Sequence, residues 1–278
     1  MGKSQELERY KASDFTSEVA QINLEMARQR DQVAVSWPSE DVLLRAAGLR
    51  EDSRVLECAC GPGYATERLA AMVPRGRVVG VDRDPDQLRN ARKTMEASGA
   101  TNYEILEADI FKSPLPKETF DFCYSRLSYQ WFEDIARATH LLYDSLVPGG
   151  TLAVFDVDFR IPWFVLPKSH SDAIRRLQHG WERYLTERGA NCQLGFELAR
   201  DLLPGAGFRN VVTYLATSSA MNREEFERIE HPHVRRHLVR QGIWSQQDLE
   251  QFDRDVDDWL GSGKAYMLKA RVFVSGRK

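Results

Sequence analysis

Between residues 54 and 155, short apolar runs alternate with amphipathic segments, and this alternation constrains the chain more than any other feature. The runs are Arg54-Val-Leu-Glu-Cys-Ala, Arg77-Val-Val-Gly-Val-Asp82, Tyr103-Glu-Ile-Leu, Phe120-Asp-Phe-Cys-Tyr and Thr151-Leu-Ala-Val-Phe. Between them lie stretches of helical periodicity such as Tyr64–Met72 and Pro85–Ser98. Strands that alternate with helices predict a parallel sheet covered on both faces, an α/β fold. Right-handed crossovers then bring the carboxyl ends of the strands to one edge, where ligands bind in such folds.

The flanking segments read differently. Val19, Ile22 and Met26 recur at helical spacing, as do Val42, Leu43, Ala46 and Ala47 before Gly48. Trp37-Pro38-Ser39 is expected to break this region, because Pro38 disfavours helix at Trp37 and Ser39 can cap a second helix after the break. After Ile161 the regularity fades into IPWFVLP, an amphipathic helix near Ser171–Arg188, a strand at Phe208–Ala216, a charged helical stretch Arg223–Leu260 and a last strand Tyr266–Ser275. With no repeat and no Gly, Pro or Ser-rich linker, the expectation is one domain with a helical cap. Its parts are an N-terminal helical segment 1–50, a core 51–160, cap segments 161–202 and 221–263, and a final strand 264–278.

Composition removes several function classes. The 278 residues carry a net charge of −3, which gives no electrostatic reason to expect nucleic acid as a partner. No apolar run approaches the ~20 residues of a membrane helix. The polar start MGKSQELERYK lacks the apolar core of a secretory signal, so no membrane partner is expected and the cytoplasm is the default address. Cys58, Cys60, Cys123 and Cys192 lack zinc-site spacing and read as reduced packing residues. His231, His233 and His237 sit among Arg235, Arg236 and Arg240, which repel a cation, so no metal is expected.

Chemistry concentrates at the ends of the runs. In LECACGPGYAT an apolar run ends at Glu57 and passes through Gly61-Pro62-Gly63 into a helix. Glycines there let backbone approach a ligand and expose amide N–H groups at the helix start, although a tight connection with no ligand has the same sequence. Asp82 lies 25 residues further on, at the tip of the next strand. A carboxylate in that place either accepts both ribose hydroxyls of a nucleoside or caps the helix that begins near Pro85. Asp109 comes after the third strand, Ser125-Arg126 ends the fourth in FDFCYSRLSYQWF, and LVPGG precedes the fifth.

In this order and spacing the chain resembles class I S-adenosylmethionine-dependent methyltransferases, in particular the group similar to ubiquinone/menaquinone C-methyltransferases. The resemblance runs from about Asp52 to Asp158 and more loosely to the C-terminus. It implies a Rossmann-like, seven-stranded, mostly parallel sheet whose last strand is antiparallel, with S-adenosyl-L-methionine as cofactor. Glu57 and the turn Ala59–Gly61–Gly63 would hold the methionine portion, with Ala59 standing where the family has its first glycine. Asp82 would take the ribose hydroxyls and Arg83 would flank the adenine. Asp109 and Ile110 would meet the adenine's amino edge and face, and Ser125 and Arg126 would lie beside the sulfonium. A nicotinamide cofactor fits less well, because its fingerprint requires Gly or Ala where this chain has Thr66.

Methyl transfer relies on positioning and on exclusion of water, with a general base where the acceptor is a phenol, alcohol or acidic carbon. Asp158, Tyr129 and His170 are the candidates, each with a capping, packing or solvated alternative. Aromatic residues crowd the ligand edge in sequence: Tyr129, Trp131, Phe132, Phe155, Trp163 and Phe164, with Phe159 among them. They suggest a small lipophilic or aromatic acceptor, of the kind met in secondary metabolism. A protein that binds the cofactor without transferring methyl (cyclase-like or regulatory) and a tRNA or protein methyltransferase remain as alternatives. The sequence leaves the oligomeric state open, a homodimer included.

Overall fold

The computed structural model describes residues 19–278, with side chains from Leu24 onward; the polar N-terminus and the Val19 and Ile22 side chains lie outside the described residues. The chain groups into two compact units. One, the sheet unit, comprises Ser36–Asp158, Gln193–Ala216 and Arg271–Lys278. The other, the cap unit, comprises Phe159–Cys192, Thr217–Ala270 and the chain up to Val35. Gln193–Leu202, expected in the cap, therefore belongs with the sheet.

In the sheet unit, helix α1 (Val19–Ala46, entering this unit at Ser36) is followed by β1 (Arg54–Cys58), α2 (Tyr64–Met72), β2 (Arg77–Asp82), α3 (Pro85–Ser98), β3 (Tyr103–Glu107), β4 (Phe120–Arg126), α4 (Ile135–Ser145) and β5 (Leu146–Asp156). A helical run comes next as α6 (Gly195–Glu197), a π-turn at Leu198–Leu202 and α7 (Leu203–Gly205), before the first part of β7 (Arg209–Ala220) and the end of β8 (Tyr266–Arg277). The strands are parallel in the order β3-β2-β1-β4-β5, with Leu56 level with both Val79 and Cys123. β8 then runs antiparallel to β5, with Val154 opposite Val274, and β7 pairs with β8. This is the expected mostly parallel Rossmann-like sheet with an antiparallel last strand.

One face of the sheet buries Val55, Phe122, Tyr124 and Phe155 against Leu44, Leu69 and Met95 from α1, α2 and α3. On the other face α4 buries Ala138 and Leu142, one turn apart. Where β3 crosses to β4 there is no helix. The segment Ser113–Pro116 instead roofs a cavity of about 370 Å³ floored by Leu56, Val79, Val81 and Leu106. Helix α1 is continuous through Pro38, against the expected break at Trp37-Pro38. An internal proline costs a helix about 3 kcal/mol. Packing of Leu44, Trp37 and Leu43 against the sheet core offsets that cost.

The cap unit holds the short β6 (Phe164–Leu166), which the sequence pattern showed only as an aromatic stretch between prolines and which is the eighth strand. It pairs antiparallel with the start of β8, Val165 opposite Met267. Helix α5 (Ser171–Thr186) precedes three helices where one charged stretch was expected: α8 (Arg223–Ile229), α9 (Pro232–Arg240) and α10 (Gln246–Gly261). Asn222 caps α8, and Ser245 with Asp248 forms a capping box at α10, so each break has its own local start signal. Ile174, Leu177, Tyr184, Phe226, Phe252 and Trp259 form its core.

The cap's histidines are held by neighbours. His233 lies 3.4 Å from Glu25 and His231 lies 3.2 Å from Asp31. Burial acts to raise the Glu25 pKa, yet Arg28, His233 and Gln29 together hold it well below the usual carboxylate range. Burial, with Arg240 and Arg188 nearby, pushes His237 down to about 4. Among the described residues no cluster of three or more His, Cys, Asp and Glu is placed to hold a metal ion. No described helix is long and apolar enough to cross a membrane.

Lys269 is buried in the cap unit, ion-paired with Glu230 and 3.9 Å from the centre of the Trp163 ring. Removing one partner of a buried pair leaves an uncompensated charge, so Glu230→Ala is expected to cost on the order of 3 kcal/mol in urea unfolding. Glu51→Ala, which breaks the exposed Arg75–Glu51 pair, is expected to cost less than about 1 kcal/mol. Equal costs would contradict this account of the pair.

Candidate functional site

All within the sheet unit, β1, β2, β4 and β5 deliver Glu57, Asp82, Ser125, Arg126 and Asp156 at or next to their carboxyl ends. The turn after β1 places Ala59, Gly61 and Gly63 in the left-handed region, at φ 58°, 55° and 79°. The two glycines serve different needs. A Cβ on Gly63 would lie 3.0 Å from the Cα of Ala91, so α2 can approach α3 only over a glycine. Gly61 meets nothing closer than 3.9 Å, and what it needs is the backbone conformation that turns its N–H to the Asp82 carboxylate at 2.9 Å. Ala59 takes the left-handed conformation at a strain of about 1–2 kcal/mol, which glycine would avoid.

Asp82 is not the cap of α3. Asp84 does that, accepting the N–H of Asp86 at 2.8 Å and of Gln87 at 3.4 Å. Asp82 instead accepts N–H groups from Gly61 and, at 3.0 Å, from Asp84. Burial raises its pKa against the pull of these donors and of the Arg83 N–H. Arg83 is next in the chain and exposed. Past β3, the Asp109 carboxylate accepts the Phe111 N–H at 3.0 Å and lies 3.6 Å from the Lys112 ammonium, and Ile110 is buried beside it.

Glu57 is 2% exposed and receives the Thr66 hydroxyl at 2.5 Å. Burial pushes its pKa up to about 8; Thr66 and Arg126 oppose the shift, while Asp82 and Glu40 add to it. Arg126, two residues past the strand neighbour of Glu57, is bound by Glu40 from α1. Its Nε donates to both Glu40 oxygens at 3.2 and 3.1 Å, and its Nη2 donates to Ser36 Oγ at 2.8 Å. Glu40 is fully buried and also accepts from the Tyr124 hydroxyl and, at 2.5 Å, from Ser36.

The end of β4 is fixed as well. Leu127 is left-handed at φ 53°, and the Ser125 and Ser128 hydroxyls are 2.6 Å apart. The Asp156 carboxylate accepts N–H groups from Val157 at 2.8 Å and Gln130 at 3.2 Å. Burial raises the pKa of Asp156 to about 7 despite these donors.

Ser36, Glu40 and Asp156 are absent from the sequence-based candidates. The first two lie one helical turn apart among Trp37, Leu43 and Leu44, a polar pair on an apolar face. Asp156 ends VFD as Asp82 ends VVGVD, and that parallel was the available signal.

Each catalytic candidate has its own surroundings. Tyr129 is fully buried, its ring 5.0 Å from that of Phe132, and burial raises its phenol far above the ordinary value. Asp158 is buried, accepts the Gly195 N–H at 3.1 Å and bridges to Gln193. His170 belongs to the cap unit, just before α5, with Nδ1 3.2 Å from the Ser169 hydroxyl.

Residues 55–150 match the family described as "Methyltransferase domain". The chain carries a class I, S-adenosylmethionine-dependent methyltransferase domain. A trans-aconitate 2-methyltransferase of Paracidovorax citrulli is 36% identical over 118 residues, 42% of this chain and 43% of that protein. One from Escherichia fergusonii is 29% identical over 195 residues, 70% of this chain and 68% of that protein. The chain thus matches under half the length of several of these relatives. Phosphoethanolamine N-methyltransferase 2 of Haemonchus contortus, solved with S-adenosyl-L-methionine, superposes with a TM-score of 0.59 at 15% identity, over 97% of this chain and 60% of that one. That likeness speaks for the fold. The two relatives are named for trans-aconitate, and the expected resemblance holds at the level of the class.

The residues at the edge fit the domain's cofactor. Asp82 receives the backbone N–H groups of Gly61, Asp84 and Arg83 and, with roughly four acceptor sites, keeps capacity for a ribose hydroxyl. The glycine turn admits close backbone approach, and Glu57 is a buried acid at the strand end beside it.

The two raised carboxyls set a pH dependence. Glu57 and Asp156 bind protons more tightly folded than unfolded, from their ordinary values of 4.5 and 3.8 up to about 8 and 7. The unfolded chain therefore holds fewer protons in that window, and stability falls as pH rises through it. Without cofactor, the Tm is expected to drop between about pH 6.5 and 8, above the range in which the lowered His237 acts in the opposite sense, and Glu57→Gln to flatten part of the slope. A Tm that rises across this range in wild type would exclude buried, raised carboxyls.

Proposed function

We propose that the protein transfers the methyl group of S-adenosylmethionine to a small-molecule acceptor that presents a carboxylate. The observation that carries the transfer is the ordered strand edge, with a buried Glu57, a left-handed turn and an Asp82 released from capping by Asp84. The acceptor class is drawn from the relatives, whose named substrate, trans-aconitate, is a carboxylic acid. The lipophilic or aromatic alternative loses its main support, because several of the aromatic residues behind it are spent on packing. Tyr129 and Phe155 are fully buried, and Trp163 packs against the cap core and Lys269.

The bound cofactor supplies a methyl group already activated by its sulfonium. A carboxylate acceptor is deprotonated at neutral pH and needs no general base. The reading therefore asks nothing of Asp158, Tyr129 or His170 as proton acceptors. Asp82 would take the ribose hydroxyls, Arg83, Asp109 and Ile110 the adenine, and Glu57 with the Ala59–Gly63 turn the amino-acid end. Ser125 and Arg126 would flank the sulfur. The task of these residues is alignment and exclusion of water.

Tritiated S-adenosylmethionine incubated with trans-aconitate and other carboxylic acids, with aromatic and lipophilic acceptors, and with RNA and protein fractions tests this directly. Alkali-labile label on a carboxylic acid is the expected result, as a methyl ester releases methanol in base. Base-stable label on an aromatic, RNA or protein acceptor would overturn the acceptor class. Cofactor binding without transfer to any fraction would favour a non-transferring protein, and absence of binding would end the whole reading. Asp82→Ala is expected to weaken cofactor binding at least about tenfold by calorimetry, and unchanged affinity would remove Asp82 from the ribose role.

A further inference from the structure

We infer that Glu40 is a positioning residue for the amino-acid end of the cofactor, holding the Arg126 guanidinium ready for the cofactor's carboxylate. The inference rests on the methyltransferase reading and extends it to a residue on the N-terminal helix.

Glu57 and Tyr124 are level on adjacent parallel strands, and Arg126 lies two residues beyond Tyr124, so all three project from one face. Phe155 is level with Arg126 on β5, with the guanidinium 5.1 Å from its ring centre. That face therefore presents a buried acid and a buried base at neighbouring strand tips. A zwitterionic amino-acid group needs such a pair, an acid for its ammonium and a base for its carboxylate.

Such a site has an inherent failure. A buried carboxylate and a nearby guanidinium attract each other strongly in a low-dielectric setting, and a direct ion pair between them would occupy both. Glu57 has no such pair; its hydrogen bond comes from Thr66. Glu40 supplies the competing anion. It contacts Nε and Nη2 of Arg126 from α1, and it is fixed by Ser36 and Tyr124. Ser36 contacts both partners, so one helical turn of α1 supplies two of the groups that hold the guanidinium. A buried pair is a weak source of stability compared with apolar packing, which makes placement the better explanation for it.

Full-length protein is titrated by calorimetry with S-adenosylhomocysteine, which carries the amino-acid end, and with 5′-methylthioadenosine, which lacks it. Glu40→Gln keeps the shape and removes the charge. It is expected to weaken S-adenosylhomocysteine about 10–100-fold and to leave 5′-methylthioadenosine within about twofold. Ser36→Ala is expected to shift affinity in the same pattern by a smaller factor, and it keeps the question answerable if Glu40→Gln fails to fold. Combining Glu40→Gln with Arg126→Lys is expected to cost little more than the larger single loss, since both act on one contact. Equal weakening of both ligands would mark Glu40 as structural only, and no weakening of either would remove it from the site; both results overturn the inference. If wild type binds neither ligand, the methyltransferase reading itself has failed.

Discussion

Three left-handed residues within five positions, Ala59, Gly61 and Gly63, determine what the sheet edge can do. The reversal brings the Gly61 N–H to Asp82 and starts α2 so close to α3 that a side chain at Gly63 would meet Ala91. One local conformation thus fixes two helices and the strand-tip acid at once. Alanine at position 59 shows that the geometry tolerates some strain, because the neighbouring strands over-determine it: Cys60 N–H is tied to Val81 O at 3.0 Å.

Around that turn the protein buries more ionisable groups than stability alone would favour. Glu40, Glu57, Asp156 and Arg126 are nearly solvent-free, and Asp82 is half-buried. Each is satisfied differently. Asp156 is held by backbone amides, Glu57 by one hydroxyl, and Glu40 by a guanidinium and two hydroxyls. In a low dielectric such differences separate their proton affinities, and under the proposed function a site for a sulfonium and an ammonium would gain from acids poised near neutrality.

Much of the fold was legible because its signals are local. Apolar runs and the glycine turn act within a few residues. Pro38 misled for the opposite reason, since the burial that keeps α1 continuous comes from residues distant in sequence. The cofactor edge was legible as far as strand ends reveal it. Whether Asp82 or Asp84 capped α3 was beyond pattern reading, because both precede Pro85 and only geometry separates them. Glu40 could not be tied to Arg126 from sequence, with 86 residues between them. The aromatic residues were ambiguous in principle, as a cap core and an apolar pocket call for the same side chains.

The division of labour between Asp82 and Asp84 has a consequence for how such a site can change. The aspartate that starts α3 is not the one offered to the ligand, so the two duties can be inherited separately. Position 82 is free to drift towards another ribose-like partner while the helix behind it keeps its start. Under the proposed function Glu57 enjoys no such freedom: buried, hydrogen-bonded and assigned to the ligand at once, it would tie recognition to folding in a single side chain.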